Sequence, residues 1–260
     1  MPERTGITAP SRPVRVTRPD QRRSLSRSAT RALDVLEVFG RERRPLRAID
    51  VSRALDLHPS TTNQLLKTMV GSAHLTFEAG TRTYLPSPRL ARFGAWMMEV
   101  FGGDEALRLL VRDMQAATGE TVTLTTPNDL SMQIVDFIDA TCAPAAERAE
   151  RGLCVSIFGS AIGAAYLSTL PDAEVRGLAR RARIADREIE AVMDAVPYIR
   201  RAGVADAGTL GGTIWSVAAP LAQARFPAPL VLGLAGPADR IRPRLDTLRA
   251  AIREAAARLP

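Results

Sequence analysis

Apolar and polar positions divide the chain into a front third of short helices and a longer back part of mixed strands and helices. The pattern is sharpest over residues 59–70. Thr62, Leu65, Leu66, Met69 and Val70 recur at helical spacing and form one mostly apolar stripe. Pro59 suits the first helical position, where its missing N–H costs nothing. Ser60, Asn63, Gln64 and Lys67 fall at i, i+3, i+4 and i+7, so they share the opposite face, which carries no acid. Upstream, Ala32, Leu33, Val35, Leu36 and Phe39 predict a helix stopped by Gly40. Ile49, Val51, Ala54 and Leu55 predict a short one over about 48–56, with Asp56, Leu57 and His58 as a tight connection. Residues 74–77 and 82–85 predict two strands around a turn at 78–81, closed by Pro86, Ser87 and Pro88. Helices joined so tightly, the later one polar outward and followed by a hairpin, make a winged helix-turn-helix.

Beyond it, residues 89–101 read as an amphipathic linker helix (Leu90, Phe93, Met97) broken by Gly102 and Gly103. A helix follows over 106–117, then strands at 121–125 and 132–138 around a turn at Pro127, Asn128 and Asp129, then a variable loop over 140–152. Helices are predicted at about 160–169, 172–182 and 187–201, strands at 213–219 and 230–235, and a closing helix over 239–258. Strands separated by helices indicate an α/β or α+β sensor domain. The expected organisation is a disordered basic tail (1–25), a winged helix-turn-helix (26–88), the linker helix (89–103) and the sensor domain (104–260). The fold class is α+β overall.

Charge sharpens this division. The chain carries a net +7, yet residues 1–90 hold 16 Lys+Arg against 8 Asp+Glu, and the remaining 170 hold 19 against 20. The whole positive excess therefore lies in the part that contains the polar-faced helix, which points to nucleic acid or a membrane surface as the partner of the front part and to something neutral for the back. Asn and Gln pair bidentately with adenine, Lys with guanine or phosphate, and Ser with phosphate or base edges. Candidate DNA contacts are Ser60, Thr61, Asn63, Gln64, Lys67 and Thr68 on the helix, Arg82 in the wing, and Arg27 and Arg31 on the first helix.

Composition, 46% apolar and 24% charged, is that of a globular protein. Two uncharged runs, Gly152–Pro171 and Ala207–Ala224, approach membrane-span length, but scattered Gly, Ser and Thr and an internal Pro220 fit buried elements better. No membrane partner is expected, and no apolar leader opens the chain. Cys142 and Cys154 are too few for a disulfide framework, so a reducing cytoplasm is the default location. His58 and His74, the only histidines, both lie in the front part. The back therefore has no Ser-His-Asp or Cys-His set, and no metal-ligand spacing or phosphate loop occurs. Neither catalytic residues, cofactor nor metal is expected.

Several segments resemble the IclR family of bacterial transcriptional regulators, in the right order with the right gaps. In the front these are Ser28–Leu36, Leu55–Thr61, Leu65–Val70 and the wing ending at Tyr84 and Leu85 before Pro88. In the back they are Ala117–Leu124, Phe158–Ala165 and Trp215–Leu221. The resemblance implies a GAF-like effector-binding domain and a dimer of dimers. Ser60 and Thr61 match the Ser-Thr pair that opens the family's recognition helix. Gln64 stands where Arg is common, Ala164 where Lys usually follows the glycine, and Ser216 where Cys is common.

The expected function is an effector-responsive regulator of operator DNA. A single recognition helix reads only a few base pairs, so a homodimer on a near-palindromic site is expected. The effector pocket is predicted from Ser156–Gly163, Trp215–Ala218 and the strand around Gln133–Phe137. Its candidate residues are Ser156, Phe158, Gly159, Ser160, Ala161, Trp215, Ser216 and Asp136. Hydroxyls, aromatic walls and helical N–H groups near Ser160, without a fixed cation, favour a monoanionic, partly aromatic metabolite. The alternative is a constitutive DNA binder whose back half serves only oligomerisation.

Overall fold

The computed structural model describes residues 14, 16–17, 26–101, 105–140, 149, 152–221 and 229–258. The chain forms two compact units: Arg22–Gly102, and Gly103–Pro260 together with Met1–Gln21. A short strand, β1 (Val16–Thr17), therefore precedes the smaller unit in sequence but belongs to the larger.

In the smaller unit, α1 (Arg27–Glu42) starts at Ser26, whose side chain accepts the Ala29 N–H. Gly40 does not stop it. The helix runs on to Arg43, which takes the left-handed conformation and donates its N–H to the Phe39 carbonyl. Leu33 lies off the buried stripe and is 63% exposed, while Val35, Val38 and Phe39 are core. A short α2 (Ala48–Ala54) and the helix α3 (Pro59–Gly71) complete the helical layer. The hairpin β2 (Leu75–Glu78) and β3 (Thr83–Pro86) begins one residue later than expected, which leaves Arg82 in the turn at φ 56°. Leu46 exchanges two backbone hydrogen bonds with Tyr84 and so ties the wing back to the helices. Leu46, Val51, Leu66, Met69, Leu75 and Tyr84 close one core with α1. Next comes α4 (Pro88–Phe101), the expected linker helix.

The larger unit opens with α5 (Glu105–Thr118) and the hairpin β4 (Thr121–Asn128) and β5 (Ser131–Ile138). Pro127 and Asn128, expected in the turn, extend β4, and Asp129 at φ 54° makes the reversal with Leu130. Then follow β6 (Cys154–Ser156), α6 (Ala161–Leu167), α7 (Asp172–Arg181), α8 (Asp186–Ala202) and β7 (Ala205–Thr209). Strands β8 (Ile214–Leu221) and β9 (Leu230–Pro237) lead to α9 (Ala238–Ile241) and α10 (Leu245–Ala257). The expected closing helix is thus broken. Pro243 lacks an N–H to donate, and Arg242–Arg244 form a 3-10 turn instead.

All pairings are antiparallel, in the order β1-β6-β5-β4-β9-β8-β7. Helices cover both faces. On one, α5 and α10 pack on Val122, Leu124, Val217, Ala219, Leu232 and Leu234. On the other, α6 and α8 pack on Ala205, Ala207, Ala218 and Val231. The second face is lined by small residues, so α6 approaches closely. A Cβ at Gly233 would lie 2.8 Å from Ile162 Cγ2. This close packing accounts for the uncharged run 152–171, and no helix among the described residues is long and apolar enough to cross a membrane.

Of the expected tail 1–25, Val16 and Thr17 pair with Val155 and Cys154 as an edge strand; the rest, Val14 apart, lies outside the described residues. Three of the described strands escaped sequence reading: β1, β6 and β7.

Candidate nucleic-acid interface and sensor face

In α3, His58 is the N-cap and its Nδ1 accepts the Ser60 N–H at 3.3 Å, while Pro59 fills the first turn. Thr62, Leu66 and Met69 turn inward. Ser60, Asn63, Gln64, Lys67 and Thr68 are exposed together, and Thr61 is half-buried at their edge. The Thr68 hydroxyl donates to the Gln64 carbonyl at 2.9 Å, so its remaining lone pairs face outward as acceptors. On α1, Arg27 is exposed and Arg31 half-buried.

Asn63 and Arg82 line one recess together with Arg47, Phe77, Thr81 and Tyr84. The turn position of Arg82 thus brings its guanidinium to the side of α3. Arg47, just ahead of α2, was missed by sequence reading because it lies outside any periodic stripe. The described residues give Arg27, Arg47, Lys67 and Arg82 no ion-pair partner. A face of amides, hydroxyls and unneutralised cations, with no acid on the helix, is built to meet phosphates and base edges.

In the larger unit, the segment from Ser156 to α6 is tightly folded. Gly159 takes φ 89°, a conformation that favours glycine. Ser160, 2% exposed, caps α6: its hydroxyl accepts the Gly163 N–H at 3.1 Å and donates to the Ser156 carbonyl at 2.7 Å. Phe158 and Ala161 are buried in the α6–α8 core. The helix has seven residues, and its Gly163 N–H is already taken by the cap.

The predicted pocket residues do not all meet. Successive residues of a strand point to opposite faces. Trp215 packs in the α5–α10 layer and Ala218 in the α6–α8 layer, so Ser216 lies on the α6 face and Trp215 on the other. Asp136 pairs with Leu124, whose side chain belongs to the α5–α10 layer, so it too lies away from Ser160. Trp215 and Asp136 therefore leave the pocket set. A bulge explains Asp136: Leu124 pairs with Asp136 but Thr125 with Ile134, and Val135 is the extra residue. Ser160 and Ser216 remain on the α6 side, beside buried Phe158, whereas Ser156, next after Val155 of that layer, turns its side chain to the opposite face and meets Ser160 only through its carbonyl.

The displaced Trp215 has structural work. Its ring covers Gly208, where a Cβ would lie 2.9 Å away, and the Arg242 guanidinium stacks 5.2 Å from the ring centroid. Its indole N–H and Asp206 Oδ1 are buried without a hydrogen bond of full geometry, although the indole lies close enough to favour the ionised carboxylate. Arg249 binds Asp206 Oδ2 through Nε at 3.0 Å and through a second guanidinium nitrogen. Burial pushes the Asp206 carboxyl up nonetheless, against the downward pull of Arg249. A second internal ion pair joins Glu120, 1% exposed, to Arg240 through three hydrogen bonds. Among the described residues no group of three or more His, Cys, Asp or Glu is placed to hold a metal.

Comparison with known proteins agrees with this architecture. The sequence pattern of the IclR helix-turn-helix domain matches residues 28–72, and that of the bacterial transcriptional regulator IclR C-terminal domain matches 104–259. No curated protein matches the chain. Solved structures share the fold. An IclR family transcriptional regulator from Brucella abortus is 20% identical over 93% of this chain and 95% of its own, with a TM-score of 0.54. Thermotoga maritima IclR is 15% identical over 89% and 98%, at 0.55. A regulator from Alicyclobacillus acidocaldarius is 21% identical over 90% and 97%, also at 0.55. With the C-terminal pattern alone spanning more than half of its length, the chain belongs to the IclR family of bacterial transcriptional regulators, with a helix-turn-helix DNA-binding domain in front and the family's C-terminal domain behind.

Proposed function

We propose that this regulator binds a specific, near-palindromic operator as a homodimer, assembled further into a dimer of dimers, and that a small organic effector alters its operator affinity. The observation that carries the DNA half is the acid-free exposed face of α3, flanked by Arg82 across one recess. Gln64, Asn63 and Ser60 read base edges, while Lys67, Arg82, Arg27 and Arg31 meet phosphates and Thr61 and Thr68 supply hydroxyls. Two symmetry-related helices are needed because one spans only a few base pairs.

Sites selected from a random duplex pool give the operator. On it, Lys67→Ala and Arg82→Ala are expected to weaken binding roughly equally on all sequences, each lowering the salt slope by about 1. Asn63→Ala and Gln64→Ala are expected to relax preference at one base pair each, by about 1–3 kcal/mol. A footprint and affinity indifferent to all four substitutions would falsify this placement.

For the effector, the α6 face offers the hydroxyl of Ser216 beside the cap formed by Ser160, with Gly159 and Ala161 in the adjoining turn. None of the segments assigned to it carries Lys, Arg or His. With Trp215 on the opposite face and Phe158 packed in the core, the case for an aromatic ligand falls away. The chemistry fits a hydroxyl-rich or amide-bearing metabolite with at most one negative charge. A thermal-shift screen of such metabolites on the full chain, repeated on Ser216→Leu, is the check. Ser216 is half-buried and caps nothing, unlike Ser160. Hits whose shift survives the substitution, or that leave operator affinity unchanged, favour the constitutive reading.

A further inference from the structure

The recess that Asn63 shares with Arg82 has two apolar walls. Phe77 lies on the inward side of the hairpin, two residues along β2 from buried Leu75 and directly opposite Tyr84, with the two ring centroids 4.8 Å apart. Leu75 and Tyr84 are core, yet Phe77 is 46% exposed. Ile49, which the sequence pattern assigns to the apolar set of α2, is 45% exposed, while Val51 of the same helix is fully buried. Both residues line the recess, together with Asn63, Arg47 and Arg82. Large apolar side chains exposed singly are ordinary on a protein surface. Here two of them, from α2 and from the wing, converge on one concavity whose other lining is an amide and two guanidinium groups, beside the polar face of α3.

That mixture selects its occupant. Cations and an amide disfavour a purely apolar group, and apolar walls offer nothing to a bare phosphate. The major groove of DNA presents one methyl group among its base edges, the C5-methyl of thymine, and apolar side chains are what recognise it. An adenine held by Asn63 brings a thymine into the same groove. We propose that the recess receives the C5-methyl of an operator thymine, with Ile49 and Phe77 as its walls and Arg47 and Arg82 on phosphates at its rim. The inference rests on the DNA-binding reading above and adds to it a contact that separates thymine from cytosine by shape. Base selection is then shared by α2, α3 and the wing, not confined to the recognition helix.

A uracil scan of the selected operator, with the full chain, tests it. Replacing one thymine at a time by uracil removes the methyl group and leaves the pairing with adenine intact. At one thymine in each half-site the change is expected to weaken binding about fourfold, the worth of one buried methyl. On the same pair of duplexes, Phe77→Ala and Ile49→Ala are each expected to bring that ratio close to one. Ile49 is exposed in the first turn of α2, so its truncation leaves the core closed and decides the matter should the Phe77 variant fold poorly. Arg47→Ala is expected to weaken both duplexes alike and to keep the fourfold ratio. A scan without a sensitive thymine overturns the proposal, as does a ratio that persists in either apolar variant or one that Arg47→Ala also removes. Failure of the DNA-binding reading looks different: the substitutions on α3 then leave the footprint unchanged. Failure of this inference alone leaves those substitutions effective, and only the uracil ratios disagree.

Discussion

Gly163→Ala is expected to destabilise the larger unit by about 3 kcal/mol, at the upper end of what overpacking usually costs. The added methyl would meet the Ile157 carbonyl oxygen at 1.8 Å, its carbon at 2.5 Å and Cα at 2.6 Å. All three are backbone atoms, so no rotamer change relieves the clash. Nor is α6 free to slide away along the sheet. Ile162 already presses where Gly233 lacks a side chain, and the Ser160 cap fixes the first turn to Ser156. The measurement is a urea midpoint with an unchanged slope. A midpoint equal to that of the parent protein contradicts the packing described here.

The second large effect concerns Asp206 and Arg249, whose side chains are 2% and 14% exposed. Arg249→Ala strands a buried carboxylate and is expected to cost about 3–5 kcal/mol at neutral pH. The loss shrinks in acid, where the carboxyl takes up a proton. Replacing both partners together, as Asp206→Leu with Arg249→Met, removes the desolvated charges and is expected to recover most of the stability. The pH dependence has a definite sign. Burial holds the folded-state pKa of Asp206 above its ordinary 3.8, so over that window the folded protein keeps a proton that the unfolded chain releases. Its contribution is complete below the unfolded value and is lost as pH rises through the folded one. Asp206→Asn should flatten that component of the stability profile; a profile with the same slope means another group carries it.

The smaller unit was legible in the sequence because its elements are long enough, or regular enough, to show their period. The stripe Thr62–Leu66–Met69 and the Pro59 start are local signals, and the structure places α3 within one residue of the expected range. Its errors are at ends, as at Gly40, where the left-handed turn formed instead at Arg43. The larger unit hid what depends on partners. β6 is Cys-Val-Ser, and β7 is Ala-Asp-Ala-Gly-Thr, small residues with a buried carboxylate and no β-branched alternation. Each exists because a neighbouring strand pairs with it. The pocket set failed for the same reason. Whether Trp215 or Ser216 turns toward α6 is a matter of register, and one bulged residue, Val135, decides the side on which Asp136 falls. Arg47 carries no periodic signal at all; only the fold brings it beside Asn63 and Arg82.

The interrupted sequence of the larger unit bears on how hybrid regulators are cut. A chimaera joining residues 1–102 of this protein to the C-terminal domain of a relative exports β1 and leaves Cys154–Ser156 behind without its partner strand. Taking residues 26–101 alone moves the DNA-binding module intact and keeps the host's own N-terminal segment in place. The two fusion points, which differ by a stretch that looks dispensable in sequence, should therefore give hybrids with different sensor-domain stability on the same operator.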